Sequence, residues 1–187
     1  MPARALPARP WRVFRLGRTL CQTSDRARQD SLAREGSLGP HRPMTGIAFH
    51  VNLVDRLAYA CRLLRKAAAG GARVVVTGTE ADLRALDAAL WTFSAHDFVP
   101  HGLADALPPR LLARTPIVLA PSAQAAPHRE VLVNLHEAVP QGFEGFERLI
   151  ELVSQDEAPL RSARVRWKHY ADRGYALTKV DQKDVVA

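Results

Sequence analysis

Cysteines, long apolar runs and glycine-rich loops are all scarce in this 187-residue chain, and each scarcity removes a class of protein. Two cysteines, Cys21 and Cys61, cannot build a disulfide framework, so stability must come from a packed core and a reducing cytoplasm is the natural compartment. No apolar run approaches the roughly 20 residues that cross a bilayer, and no membrane segment is expected. Acidic residues are nearly missing from residues 1–43. Nine arginines stand there against Asp25, Asp30 and Glu35, and they account for six of the seven net positive charges. The rest of the chain is therefore close to neutral, and its overall charge gives no reason to expect a surface that tracks nucleic-acid phosphates.

What is present is an ordinary globular composition, 47% hydrophobic and 24% charged, on a length that suits one domain plus a tail. Residues 1–43 mix Pro, Gly, Arg and Ser without a helical or strand period, which predicts a disordered or non-native extension. Their arginine excess resembles a transit peptide, but Pro2, Pro7 and Pro10 interrupt any early amphipathic helix. The preferred reading takes Met44 as the initiator and residues 44–187 as the domain.

From Met44 onward the pattern is regular. Residues 46–51 read as a strand, followed by a helix over 55–69 with Leu57, Ala60, Cys61, Leu64 and Ala68 on one face and Gly70-Gly71 as its stop. The β-branched run at 73–77 suits a buried parallel strand, and residues 80–92 form a second helix striped by Leu83, Leu86, Ala89 and Leu90. Further strands are expected at 116–120, 130–135, 148–153 and 175–180, with a helix over 159–173 closed by Gly174. This β-α-β-α opening argues for an α/β domain with an open, mostly parallel sheet and helices on both faces.

Such a sheet invites a nucleotide site, yet the residues for one are missing. Asn52-Leu53-Val54-Asp55 after the first strand holds no glycine, and Gly78-Thr79-Glu80-Ala81-Asp82 after the second places carboxylates where phosphate would sit. The histidines have no metal-ligand spacing, and Cys61 lies on a core face. No catalytic residue, metal or cofactor is assigned. A small-ligand or nucleotide enzyme on the same fold remains the alternative, because fold does not fix function.

Two segments stand out. In residues 90–101 Trp91 lies off the leucine stripe, and Phe93, Phe98, Val99 and Pro100 crowd the following turn. Trp91, Phe98, Val99 and Pro100 either cap the sheet core or form a partner interface, where aromatics concentrate binding energy. In the late helix a rotation of 100° per residue groups Leu160, Arg161, Arg164, Trp167, Lys168 and Ala171. A basic rim around an indole suits an acidic peptide with an apolar end; a solvated basic face is the plainer reading, and base stacking on Trp167 is a third.

Together the two segments resemble the chi subunit family of bacterial DNA polymerase III. The likeness runs from about Met44 to Val180 and is most specific in Leu86-Asp-Ala-Ala-Leu-Trp91, Asp97-Phe-Val-Pro-His101 and Arg164-Val-Arg-Trp-Lys-His-Tyr170 with Gly174-Tyr175. The resemblance implies a non-catalytic, Rossmann-like accessory subunit that links the clamp loader to the acidic, phenylalanine-ended tail of single-stranded-DNA-binding protein. Contact with DNA would be indirect. It further implies that Arg164, Trp167 and Lys168 bind that tail, and that the Trp91 region lies beside a site for the psi subunit. One departure is Leu160, where the family carries a lysine; Arg161 beside it is the candidate substitute.

Overall fold

The computed structural model describes residues 44–94 and 98–182, so the expectations for residues 1–43 and for Asp97 lie outside the described residues. Seven strands form one sheet in the order β3-β4-β2-β5-β6-β1-β7, and every neighbouring pair is parallel. They are β1 (Gly46–Leu53), β2 (Val74–Thr77), β3 (His101–Leu103), β4 (Ile117–Ala120), β5 (Val131–Asn134), β6 (Arg148–Ser154) and β7 (Leu177–Asp181). The helices are α1 (Arg56–Ala69), α2 (Glu80–Thr92), the single turn α3 (Pro109–Leu112) and α4 (Glu157–Ala171).

Strands β2 and β4 are wholly buried, as their unbroken apolar runs require of a sheet covered on both faces. Two cores result. Leu64, Leu83, Leu86 and Leu90 of α1 and α2 pack with Val74, Val76 and Ile117 on one face. On the other, Ala163 and Tyr170 of α4 pack with Phe49, Leu149 and Val153. The expected helices end within two residues of their predicted limits. The connection punctuated by Pro100, Pro108 and Pro109, where no strand or helix is expected from the sequence, contains β3 and α3. A three-residue strand is too short to show a period.

Two backbone positions shape the region near α4. Gly174 takes a left-handed φ of 77° and turns the chain from α4 toward β7. Asn52 has φ 61° where the β1–β6 register slips, a bulge that asparagine tolerates better than most residues. Its side chain then donates to Asp181 Oδ1 at 2.6 Å and ties the end of β7 to β1.

Candidate functional site

The late helix is locked in rotation by a buried polar cluster. Arg166 donates through Nε to Glu151 Oε2 at 3.1 Å and through Nη1 to the Glu137 carbonyl at 2.6 Å. Tyr170 donates to Glu151 Oε1 at 2.8 Å, and Asn134 Nδ2 donates to Oε2 at 3.0 Å. Burial pushes the Glu151 carboxyl up, opposed by the Arg166 charge and the three donors, while the Tyr170 hydroxyl is raised by burial and by that carboxylate. Because Arg166 must face inward, residues 164 and 167 are carried to the flank of α4 that borders β1 and β7.

There the helix and sheet enclose a groove of about 240 Å³, lined by Phe49, Val51 and Val153 below, Leu160, Ala163, Arg164 and Trp167 from α4, and Lys179 from β7. Trp167 is 36% exposed, with its ring 5.0 Å from Phe49 and tilted by 56°. Phe49 continues inward to Tyr170 at 6.0 Å, and Tyr170 to Phe143 at 5.1 Å. The indole is therefore held on one side and open on the other, an apolar floor bordered by cations.

The sequence-predicted residues separate here. Arg164 and Trp167 line the groove. Arg161 and Lys168 are exposed on the same helix but are not among its lining residues, and Arg161 pairs with Glu157 at 3.5 Å. Lys179, which the sequence pattern does not single out, lines the groove instead. Its only early signal was a charge inside a strand, and strand alternation alone does not say what a residue faces.

In the other segment Trp91 and Phe98 are 59% and 71% exposed, their rings 5.7 Å apart, and Pro100 is exposed beside them. His101 packs against Trp91 at 5.0 Å, donates to the Val99 carbonyl at 2.6 Å and faces Asp87 at 3.4 Å. Trp91 and Phe98 thus do not cap the core. Val99 does: it is 3% exposed and packs with Leu90 and Leu86, so it anchors the patch from below and does not belong to its surface.

At the strand ends suited to nucleotide binding, the N-termini of α1 and α2 are capped by the protein's own side chains, beside a cavity of about 430 Å³ lined by Asn52, Leu53, Val54 and Asp55. Asp55 accepts from Ala58 N at the start of α1, and Thr79 accepts from Asp82 N at the start of α2. Arg56 then joins Asp82 at 3.1 Å. Burial raises the Cys61 thiol, followed by the charge of Asp55, which disfavours the thiolate. Among the described residues no three His, Cys, Asp or Glu gather to hold a metal ion.

The fold and these surfaces define an α/β protein with a fully parallel seven-stranded sheet, a cation-bordered apolar groove on one face and an exposed aromatic patch. A variant of Dbp5 from S. cerevisiae, bound to Nup159, a Gle1 variant, IP6 and ADP, has a similar fold: TM-score 0.51, 13% identity, covering 74% of this chain and 42% of that one. The likeness is one of fold alone. The family model for the DNA polymerase III chi subunit, HolC, matches residues 44–178, and the chain belongs to that family. It is 35% identical to the Pseudomonas aeruginosa DNA polymerase III subunit chi, over 72% of this chain and 94% of that one. With the Escherichia coli subunit chi it shares 27% identity, over 66% of this chain and 83% of the other.

Proposed function

We propose that this chi-family protein is a non-catalytic docking subunit that holds the acidic C-terminal tail of single-stranded-DNA-binding protein and so brings DNA polymerase III to coated single strands. The observation that carries the reading is the open face of Trp167 over Phe49, with Arg164 at the lip of an apolar groove. An acidic chain end bearing one phenylalanine has the complementary chemistry: the ring enters the groove and its carboxylates meet the cations. Arg164 and Trp167 make the direct contacts in this reading, while Arg161 and Lys168 form the charged rim. Contact with DNA is indirect, and the setting is the cytoplasm.

The exposed Trp91, Phe98 and Pro100 supply a second surface on the opposite side of the chemistry, apolar and aromatic rather than basic. It fits a partner subunit within the polymerase assembly, psi or the clamp loader. The small-ligand enzyme is the less favoured reading, since both long helices after β1 and β2 begin with carboxylates at their N-termini.

The test is a calorimetric titration with an acidic peptide ending in Asp-Phe. Binding by the parent, lost in Arg164→Glu and Trp167→Ala, is expected. Failure of the parent to bind, or binding to oligonucleotide alone with no response to the peptide, would overturn the reading.

A further inference from the structure

Among the described residues, Arg164 and Lys179 are the two charged ones lining the groove, and they come from different elements. Arg164 stands on α4, whereas Lys179 stands on β7, paired in register with Phe49 of β1. Side chains alternate along a strand, so Leu177, Lys179 and Asp181 share one face. Leu177 packs with the aromatic core beneath α4, which places Lys179 on the α4 side, next to the phenylalanine that floors the groove. The cations therefore border the apolar floor from two walls.

Lys179 is not fixed in its present pairing. Its Nζ lies 3.3 Å from Asp181 Oδ2, and the lysine side chain is 58% exposed, so the pair contributes little. Asp181 keeps the hydrogen bond from Asn52 to its other oxygen when the lysine turns away. Exchange of one carboxylate for another thus leaves no buried group stranded. Arg161 has no comparable position, being outside the groove lining and paired with Glu157.

We infer that Lys179 is a second carboxylate-binding residue of this groove, so that an acidic peptide is gripped from helix and sheet at once with its apolar side chain between them. The inference rests on the proposed reading of the groove as a tail site. It assigns the sheet-wall contact to Lys179 and not to Arg161.

Fluorescence anisotropy with a labelled acidic peptide ending in Asp-Phe tests it on the full chain. Lys179→Ala is expected to weaken binding about tenfold, the effect of one lost charge-assisted contact, and Lys179→Glu more. Lys179→Arg should restore most of the affinity, and Arg161→Ala should change it less than about twofold, as a rim charge does. Parent-like binding by Lys179→Ala and Lys179→Glu, alongside clear losses in Arg164→Ala and Trp167→Ala, would overturn the inference and leave the groove reading intact. If the parent does not bind, or all four variants match it, the groove reading falls and the inference with it.

Discussion

Arg166 and Glu151 meet at 3.1 Å in the interface between α4 and β6, with both side chains buried. Arg166 immediately precedes Trp167, so the pair that fixes which way α4 faces also decides that the indole overlooks Phe49. Truncation of Arg166 leaves the Glu151 carboxylate in a dry interface with no opposite charge beside it, only the neutral donors Tyr170 and Asn134. Arg166→Ala is expected to cost about 3–5 kcal/mol of folding stability, measured by urea unfolding. Peptide affinity should fall as well, although Arg166 does not line the groove. An unchanged unfolding midpoint would show that the cluster does not hold the helix.

The groove itself predicts a ranking among four residues of one helix. Trp167→Ala removes an aromatic wall that ring contact with Phe49 holds in place, and should weaken tail-peptide binding by about 2 kcal/mol or more, the scale of an interface hot spot. Arg164→Ala should follow. Lys168→Glu and Arg161→Glu act by field from the rim, and their smaller losses should shrink as salt rises from low to physiological concentration. A salt-independent loss at Lys168 would mean a direct contact that the groove geometry does not contain.

Much of this was legible in the sequence, and the failures have physical causes. The strands and helices other than β3 and α3 followed from apolar period and stop residues, as at Val74 to Val76, Gly70 and Gly174. Trp91 lay off the leucine stripe and is exposed, as its position on the helix required. The groove was half legible: the face shared by Arg164 and Trp167 is a property of one helix, whereas Lys179 reaches the same place from another element through sheet pairing. The Glu151 cluster was not read at all. A glutamate between Ile150 and Leu152 is a signal of a buried charge, but nothing local names Arg166, Tyr170 and Asn134 as its partners.

Acid should destabilise the domain through His50. Burial lowers its pKa and the charge of Arg148 lowers it further, while its Nδ1 shares a 2.7 Å hydrogen bond with Tyr59. A histidine depressed in the folded state binds its proton more readily when unfolded. Its contribution is therefore complete above the unfolded pKa of about 6.5 and is lost as pH falls through the lower folded value. His128, buried and also lowered by burial and by Arg73, acts in the same direction. Thermal unfolding should be level near pH 7–8 and fall below about pH 6. His50→Gln, which cannot take up that proton, should flatten part of the fall; an unaltered profile would remove His50 from the account.

The aromatic patch separates folding from assembly. Trp91 and Phe98 are mostly exposed, so Trp91→Ala with Phe98→Ala should leave the unfolding free energy within about 1 kcal/mol of the parent. Val99 beneath them is buried, and Val99→Ala should cost about 1–3 kcal/mol through lost packing. Tail-peptide affinity should be unchanged in all three, because the patch lies on α2 and the turn before β3, whereas the groove is built from α4, β1, β6 and β7. Pull-down of psi or clamp-loader subunits by the double variant then reads the patch alone. Loss of the complex with folding and peptide binding intact assigns it to assembly. Full retention would make the exposed aromatics a feature of this surface with no part in the polymerase contact, since neither stability nor the groove depends on them.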